Sequence, residues 1–252
     1  MPSALSIVTG SSRGLGRAVV DQLLARGERV LAISRGPTTL PAHPLPPGAE
    51  LIAWQADLAE PAAVAERLGA WLRAQDAAQI SAVSLINNAG VVSAPAPLSG
   101  SDIHDLQHAL RVGLEAPLLL SAAFLRATAA WACPRKLMLV SSGVGRRAIA
   151  GSATYGAAKA GMDHLARALA LEEAQVPNGA RVVSLAPGVI DTDMQLRLRS
   201  ADPAVFPEVV RFRGLKDGGH LDSPPEAAAK LLRALDRADY GDQPVSDVRE
   251  LP

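Results

Sequence analysis

Short apolar runs alternate with longer amphipathic stretches along this chain, and that alternation constrains the fold more than any single residue does. Residues 5–9, 30–34, 51–54, 83–87, 137–141 and 182–186 are rich in Val, Ile, Leu and Ala, too short for helices, and bounded by polar or glycine-containing segments. Between them, residues 15–26, 61–74, 102–130, 153–175 and 225–237 carry helical patterns, with Pro61 and Pro225 where a first-turn proline is tolerated. Strand–helix alternation predicts an α/β fold, a doubly wound parallel sheet with helices on both faces. Two stretches break the rhythm. Residues 36–48 are proline-rich and read as a surface connection, while residues 191–223 mix short helical signals with Gly214, Gly218 and Gly219. The second follows the sixth strand, on the side where open α/β sheets bind ligands, and is expected to form a lid.

A chain of 252 residues with 48% hydrophobic content can bury one substantial core, so residues 1–252 are expected to form a single domain. Lys plus Arg and Asp plus Glu each total 25, leaving no global field to attract nucleic acid or an anionic membrane. The single cysteine, Cys133, excludes an internal disulfide and a multi-cysteine metal site. The chain enters its first apolar run without a basic leader, and the greasy stretch 112–125 is interrupted by Glu115 and reads as short of a bilayer span. A soluble, cytoplasmic protein without nucleic-acid or membrane partners is expected.

The turn Thr9-Gly10-Ser11-Ser12-Arg13-Gly14-Leu15-Gly16 joins the first strand to the first helix. Its glycines allow a phosphate to approach backbone N–H groups at a helix N-terminus, although a glycine-rich turn can be only a turn. At the end of the second strand stands Ser34-Arg35, where an acid would bind a free ribose 2′-hydroxyl. Arg35, with Arg13, can instead neutralise a 2′-phosphate, which favours NADP(H) over NAD. Asp57 and Leu58 follow the third strand; they can border an adenine, and Asp57 can equally cap the helix beginning near Pro61. Asn88, Ala89 and Gly90 end the fourth strand and offer amides and close backbone approach.

Tyr155 and Lys159 are spaced i,i+4, on one helical face, and Ser142 ends the fifth strand. Positive charge beside a phenol favours the phenolate, so the lysine is expected to pull the tyrosine below its ordinary pKa of ~10. Ser142 can hydrogen-bond the same reacting oxygen. Alone, Tyr-x3-Lys is a common pattern with a bland reading as a solvated face. Together with the glycine-rich turn it suits carbonyl/alcohol chemistry.

In order, Thr9 to Gly16, Asn87 to Gly90, Ser142, Tyr155-x3-Lys159 and Pro187-Gly188 with Thr192 resemble the short-chain dehydrogenase/reductase family over roughly residues 4–194. The resemblance implies a seven-stranded parallel Rossmann sheet and hydride transfer involving a nicotinamide cofactor. It also implies that Tyr155 donates the proton, Lys159 lowers its pKa and contacts the nicotinamide ribose, and Ser142 steadies the substrate oxygen. Val189, Ile190 and Thr192 inherit contacts to the nicotinamide carboxamide, with Pro187 and Gly188 shaping the turn. The two long helices imply a homodimer or homotetramer. One departure stands out: Gly113 replaces the asparagine that supports the family's water-linked proton relay.

The segment from Arg213 to Leu221, followed by Ser223-Pro224-Pro225-Glu226, is similar to the sepiapterin reductase and benzil reductase branch. Asp247 resembles the acid that anchors a pterin there. The expected activity is NADPH-dependent reduction of a ketone or diketone, in a pocket around Val92, Val144, Ile149 and residues 191–223. The alternatives are an alcohol dehydrogenase running oxidatively and a non-catalytic NADP(H) sensor. His104 and His108 lack a third ligand, so no metal site is expected. Arg146 and Arg147 read as solvated charges, with the substrate mouth as the other possibility.

Overall fold

The computed structural model describes residues 2–251. In chain order the elements are β1 (Ser3–Thr9), α1 (Gly14–Ala25), β2 (Arg29–Ser34), β3 (Glu50–Gln55), α2 (Pro61–Arg73), β4 (Ile80–Asn87), α3 (Ile103–Leu110) and α4 (Ala116–Thr128). They continue with β5 (Arg135–Val140), α5 (Ala153–Glu173), β6 (Arg181–Ala186), α6 (Asp193–Arg199), α7 (Val209–Asp217), α8 (Pro224–Asp236) and β7 (Val245–Asp247). All seven strands run parallel in the order β3-β2-β1-β4-β5-β6-β7.

Both sheet faces are buried, which is why the strands read as continuous apolar runs. Leu5, Ile7, Leu137 and Leu139 face α2, α4 and α5, where Leu68, Phe124 and Met162 are buried. The alternate residues Val8, Met138 and Val140 face α1 and α8, meeting Leu23, Leu24 and Leu231. Strand order reverses at β1, which pairs with β2 on one side and β4 on the other, opening a crevice at the carboxyl ends of these strands.

Three details differ from the sequence expectation. Residues 102–130 are not one α-helix: Asp102 caps α3 by accepting from the Asp105 N–H, and Arg111–Glu115 forms a π-helical turn before α4. Pro117 accounts for the interruption, because it has no N–H for the carbonyl of Gly113 and its ring crowds that carbonyl. The apolar helical run Ile103–Thr128 is also long and apolar enough to cross a membrane, with a mean hydropathy of 1.3. It is instead a core element, burying Val112, Ala116, Leu120 and Phe124 against the sheet. Finally, β7 is too short and polar to register as an apolar run, yet it pairs with β6.

Residues 191–223 hold α6 and α7, which meet over a small apolar cluster of Ile149, Phe206 and Val209. Ser223 and Glu226 then form a reciprocal capping box at the start of α8.

Candidate active site

A cavity of about 700 Å³ occupies the crevice at the switch point. Gly10, Ser12, Arg13, Gly14, Leu15, Gly16, Arg35, Asp57, Leu58, Asn88, Ala89 and Gly90 all line it, so the expected nucleotide residues from four strand ends converge. Gly16 is required by packing: a Cβ there would lie 2.2 Å from the Gly10 carbonyl oxygen. The Thr9 hydroxyl accepts from the backbone N–H groups of Asn88 and Ala89, and the Asn88 amide donates to the Thr9 carbonyl, joining β1 to the loop after β4. No side chain caps the N-terminus of α1 and no acid lies in its first turn. Its free N–H groups and positive dipole end therefore suit a phosphate, and the cradle fits a dinucleotide.

The two arginines at the rim are not equivalent. Arg13 is paired with Asp193 of α6. Arg35 is exposed at the cavity rim and has no ion-pair partner among the described residues. Asp57 does not cap α2; it accepts from the Ala59 N–H, while the N-cap residue Glu60 makes no side-chain capping bond.

Ser142 leaves the end of β5, and Tyr155 and Lys159 lie on the first turns of α5. Burial pushes the Tyr155 phenol above its ordinary pKa, against an opposing pull from Ser142, whose Oγ accepts from the Val144 N–H. This corrects the expectation of a lysine-depressed phenol: the Lys159 ammonium lies 5.6 Å from the ring centroid and donates to the Val140 carbonyl at 2.6 Å. Burial lowers Lys159 itself to about 8, against an opposing pull from Asp163.

Sequence reasoning missed two supports of this group. Asp163, one turn beyond Lys159, is buried and accepts from Ser141 (2.6 Å), Ser184 (2.7 Å) and Arg146 (3.1 Å), tying β5, β6 and the loop after Ser142 to α5. Its i,i+4 spacing from Lys159 was the available signal. Gly145 is the other: a Cβ there would lie 2.8 Å from the Lys159 carbonyl carbon, so only glycine lets the Ser142 loop approach α5. Arg146 also donates to the Ser246 carbonyl and Arg147 pairs with Glu208, so neither is a free charge at the substrate mouth.

A smaller cavity of about 140 Å³ adjoins the first. Tyr155, Pro187, Ile190 and Thr192 line both, whereas Ser142, Gly188 and Val189 line only the smaller one. Val144, Ile149, Leu198, Phe206 and Phe212 supply its apolar wall. Val92, expected here, lines neither cavity; it is buried elsewhere. Asp247 is not available as a ligand anchor either, because Arg249 holds both of its carboxylate oxygens and it lines neither cavity. Gln195 of α6 does line the smaller cavity, buried, with both amide atoms unpartnered. Leaving a buried donor or acceptor unpaired costs about 1–3 kcal/mol. No group of three or more metal-ligating side chains exists among the described residues.

A family model for short chain dehydrogenase matches residues 5–203 of this chain. The chain belongs to the short-chain dehydrogenase family. Among curated relatives, it is 31% identical over 246 residues to benzil reductase ((S)-benzoin forming) of Bacillus subtilis, covering 98% of both chains. It is 30% identical over 246 residues to sepiapterin reductase of Rattus norvegicus, covering 93% of this chain and 92% of the relative. A solved short-chain dehydrogenase/reductase from Burkholderia vietnamiensis shares 35% identity and superposes with a TM-score of 0.64, covering 99% of this chain and 100% of that one. This short-chain dehydrogenase therefore sits beside the benzil and sepiapterin reductases, as an oxidoreductase of carbonyl or alcohol groups.

The family's departure at Gly113 has a packing reason in this short-chain dehydrogenase. Gly113 lies buried within the π turn, where an added Cβ would stand 3.3 Å from the Ala158 Cβ on α5. An asparagine there needs α5 to yield by a few tenths of an ångström, and α5 carries Tyr155 and Lys159.

Proposed function

We propose that this chain is an NADPH-dependent carbonyl reductase acting on a ketone or diketone, with Tyr155 as the proton donor. The observation that carries the reading is the place of Tyr155: it lines both cavities, shares the smaller one with Ser142, and is kept in its phenol form by burial. A nicotinamide cofactor bound in the larger cavity supplies the hydride. The substrate carbonyl enters the smaller cavity, where Ser142 and Tyr155 hold its oxygen and Tyr155 protonates the alkoxide as it forms. Lys159, fixed by the Val140 carbonyl, provides positive charge behind the phenol. NADPH rather than NADH is supported by Arg35 at the end of β2 and the absence of an acid there.

A phenol held above its ordinary pKa favours reduction over alcohol oxidation, which needs the phenolate first. A sensor that binds NADP(H) without turnover, the reading Gly113 raises, leaves the Ser142, Tyr155 and Lys159 arrangement without a purpose. Exposed Leu118 on α4 and Leu171 on α5 support pairing of this helical face between copies of the chain.

The test is NADPH oxidation, with NADH in parallel, on benzil, simple aryl diketones and sepiapterin. Turnover with NADPH that falls about 10²–10⁴-fold in Tyr155→Phe, with NADPH binding retained, is expected. Tight NADPH binding with no turnover of any carbonyl supports the sensor instead.

A further inference from the structure

We propose that Gln195 is a specificity-determining residue whose amide hydrogen-bonds the second, unreacted oxygen of a 1,2-dioxygenated substrate, so that the recognised class is vicinal diketones and α-hydroxyketones. This rests on the reductase reading above and narrows it.

Gln195 is the third residue of α6, only 4% exposed, and neither its Oε1 nor its Nε2 has a partner. It lines the smaller cavity together with Ser142 and Tyr155. Asn87, the other buried side chain with an orphan atom among the described residues, still donates its amide to Ser121; Gln195 has both halves of its amide unengaged. A buried amide beside aliphatic and aromatic walls is disfavoured unless a ligand completes it. The turn before it carries ion pairs, Asp193 with Arg13 and Asp191 with Arg199 and Lys216, which link α6 to the α1 turn and to α7.

An amide offers a donor and an acceptor from one plane. Nε2–H suits a carbonyl oxygen, and Oε1 suits a hydroxyl, so the pair accepts either oxidation state of a neighbouring carbon. With one carbonyl on Ser142 and Tyr155, hydride adds to its carbon, the C=O π electrons move to oxygen, and that oxygen takes the Tyr155 proton. The neighbouring C=O, held by Gln195, is unchanged. One diketone, one hydride and one proton give one α-hydroxyketone.

The experiment compares benzil with deoxybenzoin, in which a methylene replaces the second carbonyl, in wild type, Gln195→Met and Gln195→Glu. Intrinsic differences in carbonyl reactivity cancel when each variant's benzil-to-deoxybenzoin ratio of kcat/KM is divided by that of wild type. Gln195→Met keeps the shape and removes the amide, so folding is unharmed and the melting temperature is equal or higher. The expected result is a fall of at least about tenfold in kcat/KM for benzil, or ~1.4 kcal/mol, with deoxybenzoin unchanged. Gln195→Glu, which loses the donor, falls likewise on benzil. Equal losses on both ketones, or no loss on either, overturn the proposal and leave the reductase reading intact. Benzoin binding to the enzyme–NADP⁺ complex, measured by calorimetry, separates the two claims. If neither ketone turns over but Gln195→Met weakens benzoin at least tenfold, recognition by Gln195 stands and the reductase reading fails. If benzoin binds wild type and variant alike, or neither, recognition by Gln195 fails.

Discussion

The floor of the nucleotide cavity and the roof over the smaller cavity are held by different physics. In the floor, Gly10 donates its N–H to the Ile33 carbonyl, Thr9 gathers two backbone N–H groups, and buried Ser11, Ser34 and Thr38 hydrogen-bond one another. These are sheltered bonds that tie neighbouring strand ends together over a packed sheet. The roof is α6 and α7, joined to the body through side-chain ion pairs: Arg13 with Asp193, Arg147 with Glu208, and Asp191 with Arg199 and Lys216. Its apolar cluster has a buried centre of just Ile149, Phe206 and Val209. Segments with few buried contacts and solvent-screened ion pairs open most readily.

That contrast can be broken at the floor first. Gly16→Ala forces a Cβ against the Gly10 carbonyl, so NADPH affinity is expected to fall by about 10- to 100-fold, and a fluorescence titration reads it directly. An unchanged affinity means the turn is far softer than its packing implies. At the junction of the two halves, Lys159 provides a pH test. With its ammonium at about 8, kcat/KM for reduction is expected to decline above that pH, by up to tenfold per unit, and the decline is expected to vanish in Lys159→Met. Stability moves the other way. Between about 8 and 10.5 the unfolded chain holds more protons at this lysine than the folded one, so the destabilisation from burying it is present at neutral pH and fades as pH rises through that window. The smallest effect belongs to the roof. Lys216→Met removes one of two cations that hold the Asp191 carboxyl below its usual range, and amide exchange in α6 and α7 should quicken severalfold while β1 and α1 stay protected. Equal quickening in both regions would show that floor and roof open as one unit.

Much of the floor was readable from the chain because it depends on local rules. A strand, a glycine-rich turn and a helix N-terminus are neighbours in sequence, and Tyr155 and Lys159 share a helical face by spacing alone. The roof was readable only as a segment with weak helical signals. Gln195 carried no sequence signal, since a glutamine in a short polar helix is ordinarily solvated, and its burial depends on how α6 settles over Ile149 and Phe206. Val92 was misplaced for the same reason: an apolar residue after β4 is expected inside, but which cavity or core it enters depends on loop geometry. The π turn at Arg111–Glu115 was hidden within a continuous apolar pattern, although Pro117 in retrospect marked it.

The direction of the Tyr155 shift shows where sequence reasoning stops. By itself the chain determined the parallel α/β architecture, the glycine-rich turn between β1 and α1 and the shared helical face of Tyr155 and Lys159, because these follow from periodicity, glycine geometry and i,i+4 spacing. Only the tertiary structure decided that burial sets the direction of the shift at Tyr155, that Asp163 ties α5 to β5 and β6, and that Gln195 is unpaired in the cavity that Tyr155 lines. Desolvation and hydrogen-bond completion depend on every atom within a few ångströms, and those atoms come from segments far apart in the chain.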